Sequence, residues 1–377
     1  MIIPLGSGTM IRADDPLLAS CEELWWLARP ELAGLAPLND LLAHRRTLQG
    51  RARLVWTIRE GERPPTGVRP DGLVAPEFRV FLGPSNSRRE RLSLRRVVNF
   101  LEGRRIGLAL GGGGARGFAH CGVLKVLDEE ELAIDRIAGT SMGALVGHNY
   151  AAGTVPDEIV GGISVAAQAP LFLRLLPHGR LINFAWKART GAYERALRSI
   201  YGRDCFEELD FPLQIVTSDL VGGTVVVRRE GDCTDAVIES INLPLLAPPI
   251  LRDGKALVDG GILNNLPTDL LVEQGLETIL AVDVMVGSED WKPPARHRLG
   301  VFESLLRVAE LQHMRLTQHG ARSADHLLRV NLERFSLTDF ESVPARAIAA
   351  AGEEAARQAL PTLRALLAPP WRTPPAT

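Results

Sequence analysis

Lysine is scarce in this sequence. Lys125, Lys187, Lys255 and Lys292 are the whole set among 43 basic residues, and the rest are arginine. With 45 acidic residues the formal net charge is −2, so no whole-chain positive field exists to gather nucleic acid. The arginine excess, alongside Ala and Pro, reads as codon usage and not as recognition chemistry. Cysteine is scarce too. Cys21, Cys121, Cys205 and Cys233 sit at no metal-ligand or C-x-x-C spacing, which points to a reduced compartment and to no metal. Long apolar runs are missing: none reaches the ~18 residues of a spanning helix. The nearest, Ser164–Leu176 and Ile241–Leu251, are broken by Pro170, Arg174, Pro244, Pro248 and Pro249. The first residues, MIIPLGSGTMIRADD, carry no basic segment followed by an apolar core, so no secretory leader is expected. Together these absences predict a cytoplasmic protein that touches a membrane at most peripherally.

What is present is enough to fold. The chain has 377 residues, 46% of them apolar, a length that suggests about two units. Residues 1–103 read as a small N-terminal α+β region of no legible role. They hold Trp25, Trp26 and Trp56, and turn signals at Pro64-Pro65, Pro70-Asp71-Gly72 and Pro84-Ser85-Asn86. Strands are expected at Arg53–Ile58 and Phe78–Leu82, and the arginine-rich Arg88–Arg96 leads into a helix ending near Gly103. Residues 104–368 alternate between the two periods. Strands are expected at Ile106–Leu110, Ile137–Gly139, Leu213–Thr217, Thr224–Arg228, Ala256–Asp259, Thr278–Val284 and His326–Asn331. Helices are expected at Gly117–Leu132, Ser141–Ala151, Cys233–Ile241, Pro267–Gln274, Phe302–Gln318 and Val343–Leu367. Such alternation predicts an α/β domain with a mostly parallel central sheet covered on both faces. Asp253-Gly254 reads as a hairpin turn. Residues 369–377 form a proline-rich tail expected to fray.

Three constellations carry chemistry. The first is Gly111-Gly112-Gly113-Gly114-Ala115-Arg116-Gly117, between a strand and a helix. Successive glycines weaken both helix and strand, but they let the backbone approach a ligand and aim several N–H groups at one point. The loop suits a phosphate or a developing oxyanion. The spacing Gly112-x-Gly114-x-x-Gly117 also fits a dinucleotide fingerprint, but the next strand ends in Gly139-Thr140-Ser141 where that fingerprint needs an acid. No bound nucleotide is expected. A purely structural turn stays open.

The second is Gly139-Thr140-Ser141-Met142-Gly143, a G-x-S-x-G between strand and helix. A sharp turn there would expose the serine Oγ, with glycines on either side relieving the crowding. An ordinary helix-capping serine is the bland reading. The third is Val258-Asp259-Gly260-Gly261-Ile262-Leu263-Asn264-Asn265-Leu266-Pro267. It sets a carboxylate at the end of an apolar strand, where parallel α/β folds place ligands. Asn264 or Asn265 is expected to cap the helix that follows. A solvated loop aspartate is the alternative.

A serine nucleophile needs a base. The downstream histidines are His148, His178, His297, His313, His319 and His326. His313 and His319 fall in or just past a helical pattern and His326 opens a strand. His297, in a proline-rich loop, is the fairest candidate for a conventional Ser-His-Asp arrangement. None has a distinctive setting.

With these three elements in this order, the chain resembles the patatin-like phospholipase family over about Ile106 to Val330. The runs GLALGGGGARGFAHCGVL, IAGTSMGALVG and LVDGGILNNLP, and the segment Arg88–Gly103, are similar to its neuropathy target esterase branch and the bacterial relatives of that branch. The resemblance implies a patatin-like three-layer sandwich and a serine lipid-acyl hydrolase working through an acyl-enzyme. In it Ser141 is the nucleophile and Asp259 the general base. The N–H groups of Gly112, Gly113 and Gly114 form the oxyanion hole, Arg116 is a helper or merely an exposed helix-start arginine, and Gly117, Gly139, Gly143, Gly260 and Gly261 are motif glycines. The implied substrate is a phospholipid, a lysophospholipid or another fatty-acyl ester, with no cofactor, no metal and no nucleic acid. Cyclic-nucleotide-binding-like domains, common upstream in that branch, do not fit before Gly111. The apolar stretches Leu171–Leu176 and Leu243–Leu251 suit an acyl groove or a bilayer, though core packing is the simpler reading. A conventional esterase with His297 as base, and a non-catalytic lipid-binding module, are the competing readings.

Overall fold

A computed structural model gives the fold. It describes residues 22–31, 35–63, 73, 77–83, 87–167, 170, 179–200, 205–244, 246–285 and 300–367. The chain divides into two compact units, Met1–Leu94 and Arg95–Thr377. The division falls inside the helix Arg88–Leu101.

The first unit contains β1 (Leu24–Ala28), α1 (Ala36–His44), β2 (Ala52–Arg59) and β3 (Phe78–Leu82). The three strands form a sheet in chain order, and both pairings are parallel. Two-residue periodicity drives it. Leu54, Trp56 and Ile58 alternate along β2 and are buried in one cluster with Leu38, Leu41 and Leu42 of α1. Strands β2 and β3 stand where the sequence puts them. Strand β1 was not foreseen, because Trp25-Trp26 carries no alternation. A helix joining two parallel strands refines the α+β expectation: this region is a small α/β unit. The turn signals at 64–65, 70–72 and 84–86 lie outside the described residues.

The second unit holds β4 (Ile106–Leu110), α2 (Phe118–Glu129), β5 (Arg136–Thr140), α3 (Met142–Ala151) and α4 (Pro156–Ala167). Next come α5 (Gly179–Arg189), α6 (Ala192–Ile200), β6 (Leu213–Asp219), β7 (Thr224–Arg228), α7 (Cys233–Ser240), β8 (Ile250–Arg252) and β9 (Lys255–Asp259). The unit ends with α8 (Thr268–Glu273), β10 (Thr278–Asp283), α9 (Val301–Gly320), β11 (His326–Arg329) and α10 (Ser342–Leu366). Among the described residues the sheet runs β11-β10-β4-β5-β6-β9-β8, with β7 also paired to β6. Pairings from β11 to β6 are parallel; those of β6 with β7 and β9, and of β8 with β9, are antiparallel. Asp253 and Gly254, with φ of 48° and 75°, make the expected hairpin turn between β8 and β9.

The central strands β4 and β10 are buried along their whole length, which explains their continuous apolar runs. Leu108 and Leu110 pack with α2, α3 and α10 on one side, while Ala109, Ala138 and Ala281 pack with Leu270 and Leu271 of α8 on the other. The result is the three-layer α/β sandwich the sequence predicts. Helices α4, α5 and α6 were not foreseen. The expected helix start at Gly117 is preceded by a single 3-10 turn, Gly114–Gly117.

Helices α2 and α10 cross with their backbones in contact. A Cβ on Gly122 would overlap the Ala349 carbonyl, and one on Gly352 would overlap that of Ala119. Overpacking of this kind typically costs about 1–3 kcal/mol. Gly122→Ala is therefore expected to lower the thermal midpoint. Gly161→Ala, on α4 with nothing within 4 Å of the new Cβ, leaves it unchanged or slightly higher. Melting curves followed by circular dichroism check both.

Candidate active site

The site arises from the way β5 and β9 share one edge of β6. Strand β5 is parallel to β6 and ends with Thr140 opposite Val216. Strand β9 is antiparallel to β6 and ends with Asp259 opposite Thr217. Strand β7 pairs with β6 over Ile215–Asp219, so it occupies the other edge. The two strands therefore run toward each other and stop at adjacent positions of β6. Ser141, the residue after β5, is brought face to face with Asp259, the last residue of β9.

Ser141 sits in the turn between β5 and α3 with φ 53° and ψ −121°. A side chain rarely adopts a positive φ, and the strain holds it out of the fold. The turn is pinned. Ser141 N–H donates to Ser240 Oγ (2.9 Å), whose hydroxyl donates to the Val216 carbonyl (2.6 Å). Thr140 Oγ1 donates to the Asn264 carbonyl (2.9 Å), tying the turn to the loop after Asp259. Gly143 needs its missing side chain, because a Cβ there would overlap the Leu110 carbonyl. Gly139 and Gly260 likewise abut backbone, and Gly117 abuts Met142.

Ser141 Oγ donates to Asp259 Oδ2 at 2.7 Å. Asp259 is buried, with 1% of its surface exposed. Its Oδ1 accepts the Gly261 N–H at 2.8 Å, and its own N–H donates to the Asn242 carbonyl at 2.9 Å. Burial raises the carboxyl pKa above the ordinary range. The charge of His313 and the hydrogen bonds from Ser141 and Gly261 pull it back down.

The glycine loop lies beside this pair. A Cβ on Gly112 would come within 3.1 Å of Ser141 Cβ. The expected trio of amide donors is reduced here. Gly112 N–H already donates to the Asn265 carbonyl at 3.1 Å. Gly113 and Gly114 have no acceptor for their N–H groups among the described residues. Ala115 N–H is held by the Leu337 carbonyl at 2.9 Å. Arg116 is half-buried, donating its Nε to the Phe335 carbonyl at 2.9 Å. Burial lowers its pKa, opposed by Glu310 and Asp339. It is no exposed helix-start arginine, and its Nε is committed to a backbone carbonyl.

Two residues at the site carried no clear signal in the sequence. Asn265 does not cap the following helix, whose N-cap is Pro267 with no side-chain bond. Asn264 instead donates to Asp269 (2.8 Å). The Asn265 side chain turns back, donating to the Gly112 carbonyl (3.3 Å) and to Thr317 Oγ1 (2.8 Å). With its own carbonyl on Gly112 N–H, Asn265 holds that glycine from both sides. The second is His313 on α9, which acts electrostatically on Asp259. Its signal lay in a polar stripe, Glu310, His313 and Thr317, at helical spacing. Of the other histidines, His148 is buried in α3, His326 is half-buried on β11 and His319 is exposed. His178, His297 and the stretch Leu171–Leu176 lie outside the described residues. From the second apolar stretch, Leu246 is buried while Leu251 is 81% exposed. Among the described residues no cluster of three metal-ligating side chains occurs, and no helix is long and apolar enough to cross a membrane.

A strained serine hydrogen-bonded to a buried carboxylate, next to a glycine loop that holds two uncommitted amides, is an arrangement suited to acyl transfer on an α/β scaffold. Residues 108–272 match the family model described as patatin-like phospholipase. A patatin-like phospholipase domain-containing protein of Caenorhabditis elegans is 31% identical over 267 residues, covering 69% of this chain and 19% of that protein. An uncharacterized NTE family protein of Mycobacterium bovis is 33% identical, covering 53% of this chain and 33% of that protein. Patatin-like phospholipase domain-containing protein 6 of Homo sapiens is 34% identical, covering 52% and 14%. Among solved structures, VipD from Legionella pneumophila is a distant likeness, with TM-score 0.42 and 13% identity over 69% of this chain and 67% of that one. Residues 108–272 are thus a patatin-like phospholipase domain, and the chain is similar to the neuropathy target esterase group of that family. It spans a third or less of the length of these curated relatives.

Replacing Asn265 by Ala strands the Gly112 carbonyl and Thr317 in a buried setting. Orphaned buried polar groups cost about 1–3 kcal/mol. The Asn265→Ala protein is expected to melt at lower temperature and to lose turnover beyond what its folded fraction explains. Parallel melting and ester-hydrolysis assays check this.

Proposed function

We propose that the unit from Arg95 onward is a serine lipid-acyl hydrolase, acting on phospholipids, lysophospholipids or related fatty-acyl esters without a cofactor. The patatin-like phospholipase domain supports lipid hydrolysis. The observation that carries the mechanism is the 2.7 Å hydrogen bond from Ser141 Oγ to the buried Asp259 carboxylate. In this reading Asp259 Oδ2 takes the serine proton as Oγ attacks the ester carbonyl. The oxyanion is received by the N–H groups of Gly113 and Gly114, strengthened by the N-terminus of α3. Collapse of the tetrahedral species breaks the ester C–O bond. The leaving alcohol takes the proton from Asp259, and Ser141 is left acylated. Water then gives its proton to Asp259 and attacks the acyl-enzyme. Fatty acid departs, and the proton returns to Ser141. The substrate reaches the site through peripheral contact with its membrane or micelle.

An aspartate of ordinary pKa, about 3.9, is a weak base for a serine hydroxyl. Burial raises that value at Asp259. The group must be ionised to accept a proton, so activity is lost as pH falls through the raised value. The acid limb of the pH–rate profile is expected above the usual carboxylate range. Ser141→Ala and Asp259→Asn should each cut fatty-acid release by at least about 10³-fold. The assay is a panel of phospholipids, lysophospholipids and neutral esters with Ser141→Ala as the blank. Full activity in Asp259→Asn, or no fluorophosphonate labelling of Ser141 in folded protein, would refute the reading.

A further inference from the structure

The two oxygens of Asp259 face different neighbours. Oδ2 accepts from Ser141, while Oδ1 lies on the Gly261 side. A Cβ built on Gly261 would sit 3.1 Å from Asp259 Oδ1 and also 3.1 Å from His313 Nε2. Twice that distance is therefore the most that can separate the imidazole nitrogen from the carboxylate oxygen. Gly261 is bare at a spot that adjoins both. Helix α9 is fastened over this turn on both sides of the histidine. Gln312 Nε2 donates to the Ile262 carbonyl (2.6 Å), and Thr317 Oγ1 accepts from Asn265 (2.8 Å).

We propose that His313 is a positioning residue for the reaction, standing behind Asp259 on the Oδ1 side and keeping the carboxylate ionised and oriented while Oδ2 takes the serine proton. The inference rests on the Ser141–Asp259 reading and extends it to the order Ser141–Asp259–His313. A conventional triad sets the imidazole between serine and carboxylate; here the carboxylate is in the middle. The groups acting on His313 among the described residues are Asp259, from the turn that α9 covers, and Glu310 on its own helix. Arg116 acts on Glu310 in turn. Burial lowers the imidazole pKa and raises that of the carboxyl, and each group's charge opposes the shift of the other. Each thus favours the ionised form of its neighbour.

The test is kcat and KM against pH for the full chain, with a p-nitrophenyl fatty ester as substrate. The variants are His313→Leu, His313→Gln, Asp259→Asn and, as a control, His319→Leu, which alters an exposed histidine on the same helix. His313→Leu is expected to lower kcat about tenfold or more, with KM within about twofold. Its acid limb should move to higher pH, because the imidazole's electrostatic effect lowers the carboxyl pKa and its removal disfavours the carboxylate. His313→Gln keeps an N–H donor, so it should recover part of kcat while its acid limb still moves up. If His313→Leu does not fold, judged by circular dichroism, the His313→Gln profile decides alone. A His313→Gln profile superimposable on the parent's overturns the inference. With Asp259→Asn inactive, that result leaves the serine–aspartate pair standing. Parental activity in Asp259→Asn would remove both.

Discussion

The hydrogen bond between Ser141 and Asp259 depends on two strands meeting end to end. In a wholly parallel sheet every strand would end on the same side, and neighbouring C-termini would stand side by side. This sheet breaks the rule at β9. The β8–β9 hairpin reverses the chain, so β9 approaches along β6 from the opposite direction and stops one residue short of β5. Placing a serine and a carboxylate within 2.7 Å then needs no flexible loop. The antiparallel segment is small, but it supplies the geometry on which the rest of the site is built.

Electrostatics follows from that placement. A strand end inside the sheet is a dry position, and dryness makes a carboxylate more basic. The same dryness would leave an isolated charge badly solvated. Asp259 is met by the Ser141 hydroxyl and the Gly261 N–H, with the imidazole of His313 nearby. These partners moderate the cost of burial without cancelling it, so the group stays ionisable and above its ordinary range.

Much of the sheet domain was legible beforehand because its signals are local. Apolar runs bounded by glycine marked β4, β5, β9 and β10, and Asp253-Gly254 marked its hairpin. The three motifs marked Ser141, Asp259 and the glycine loop for the same reason, since each needs a particular residue at a fixed offset. What stayed hidden was set by tertiary contact. Asn265 looked like a helix cap because its neighbours are a proline and a short helix; only the fold brings Gly112 and Thr317 to it. The engagement of Gly112 N–H by a carbonyl more than a hundred residues away has no sequence signature. His313 lies 54 residues beyond Asp259 on a helix whose periodicity specifies a face but not what that face meets. Strand β1 escaped because two successive tryptophans blur the period of two.

The contact of Gly143 with the Leu110 carbonyl has one more consequence. Leu110 ends the strand that launches the glycine loop, and Gly143 lies in the first turn of the helix that follows the serine. Where those two segments touch there is backbone on both sides and no side chain between them. The spacing from the Ser141 turn to the glycine loop is thus gauged by peptide groups, whose dimensions do not vary with sequence. Substitutions through the surrounding core can change how the helices lean without changing that spacing. The motif glycine acts as a spacer of fixed thickness, which leaves the rest of the domain free to diverge around it.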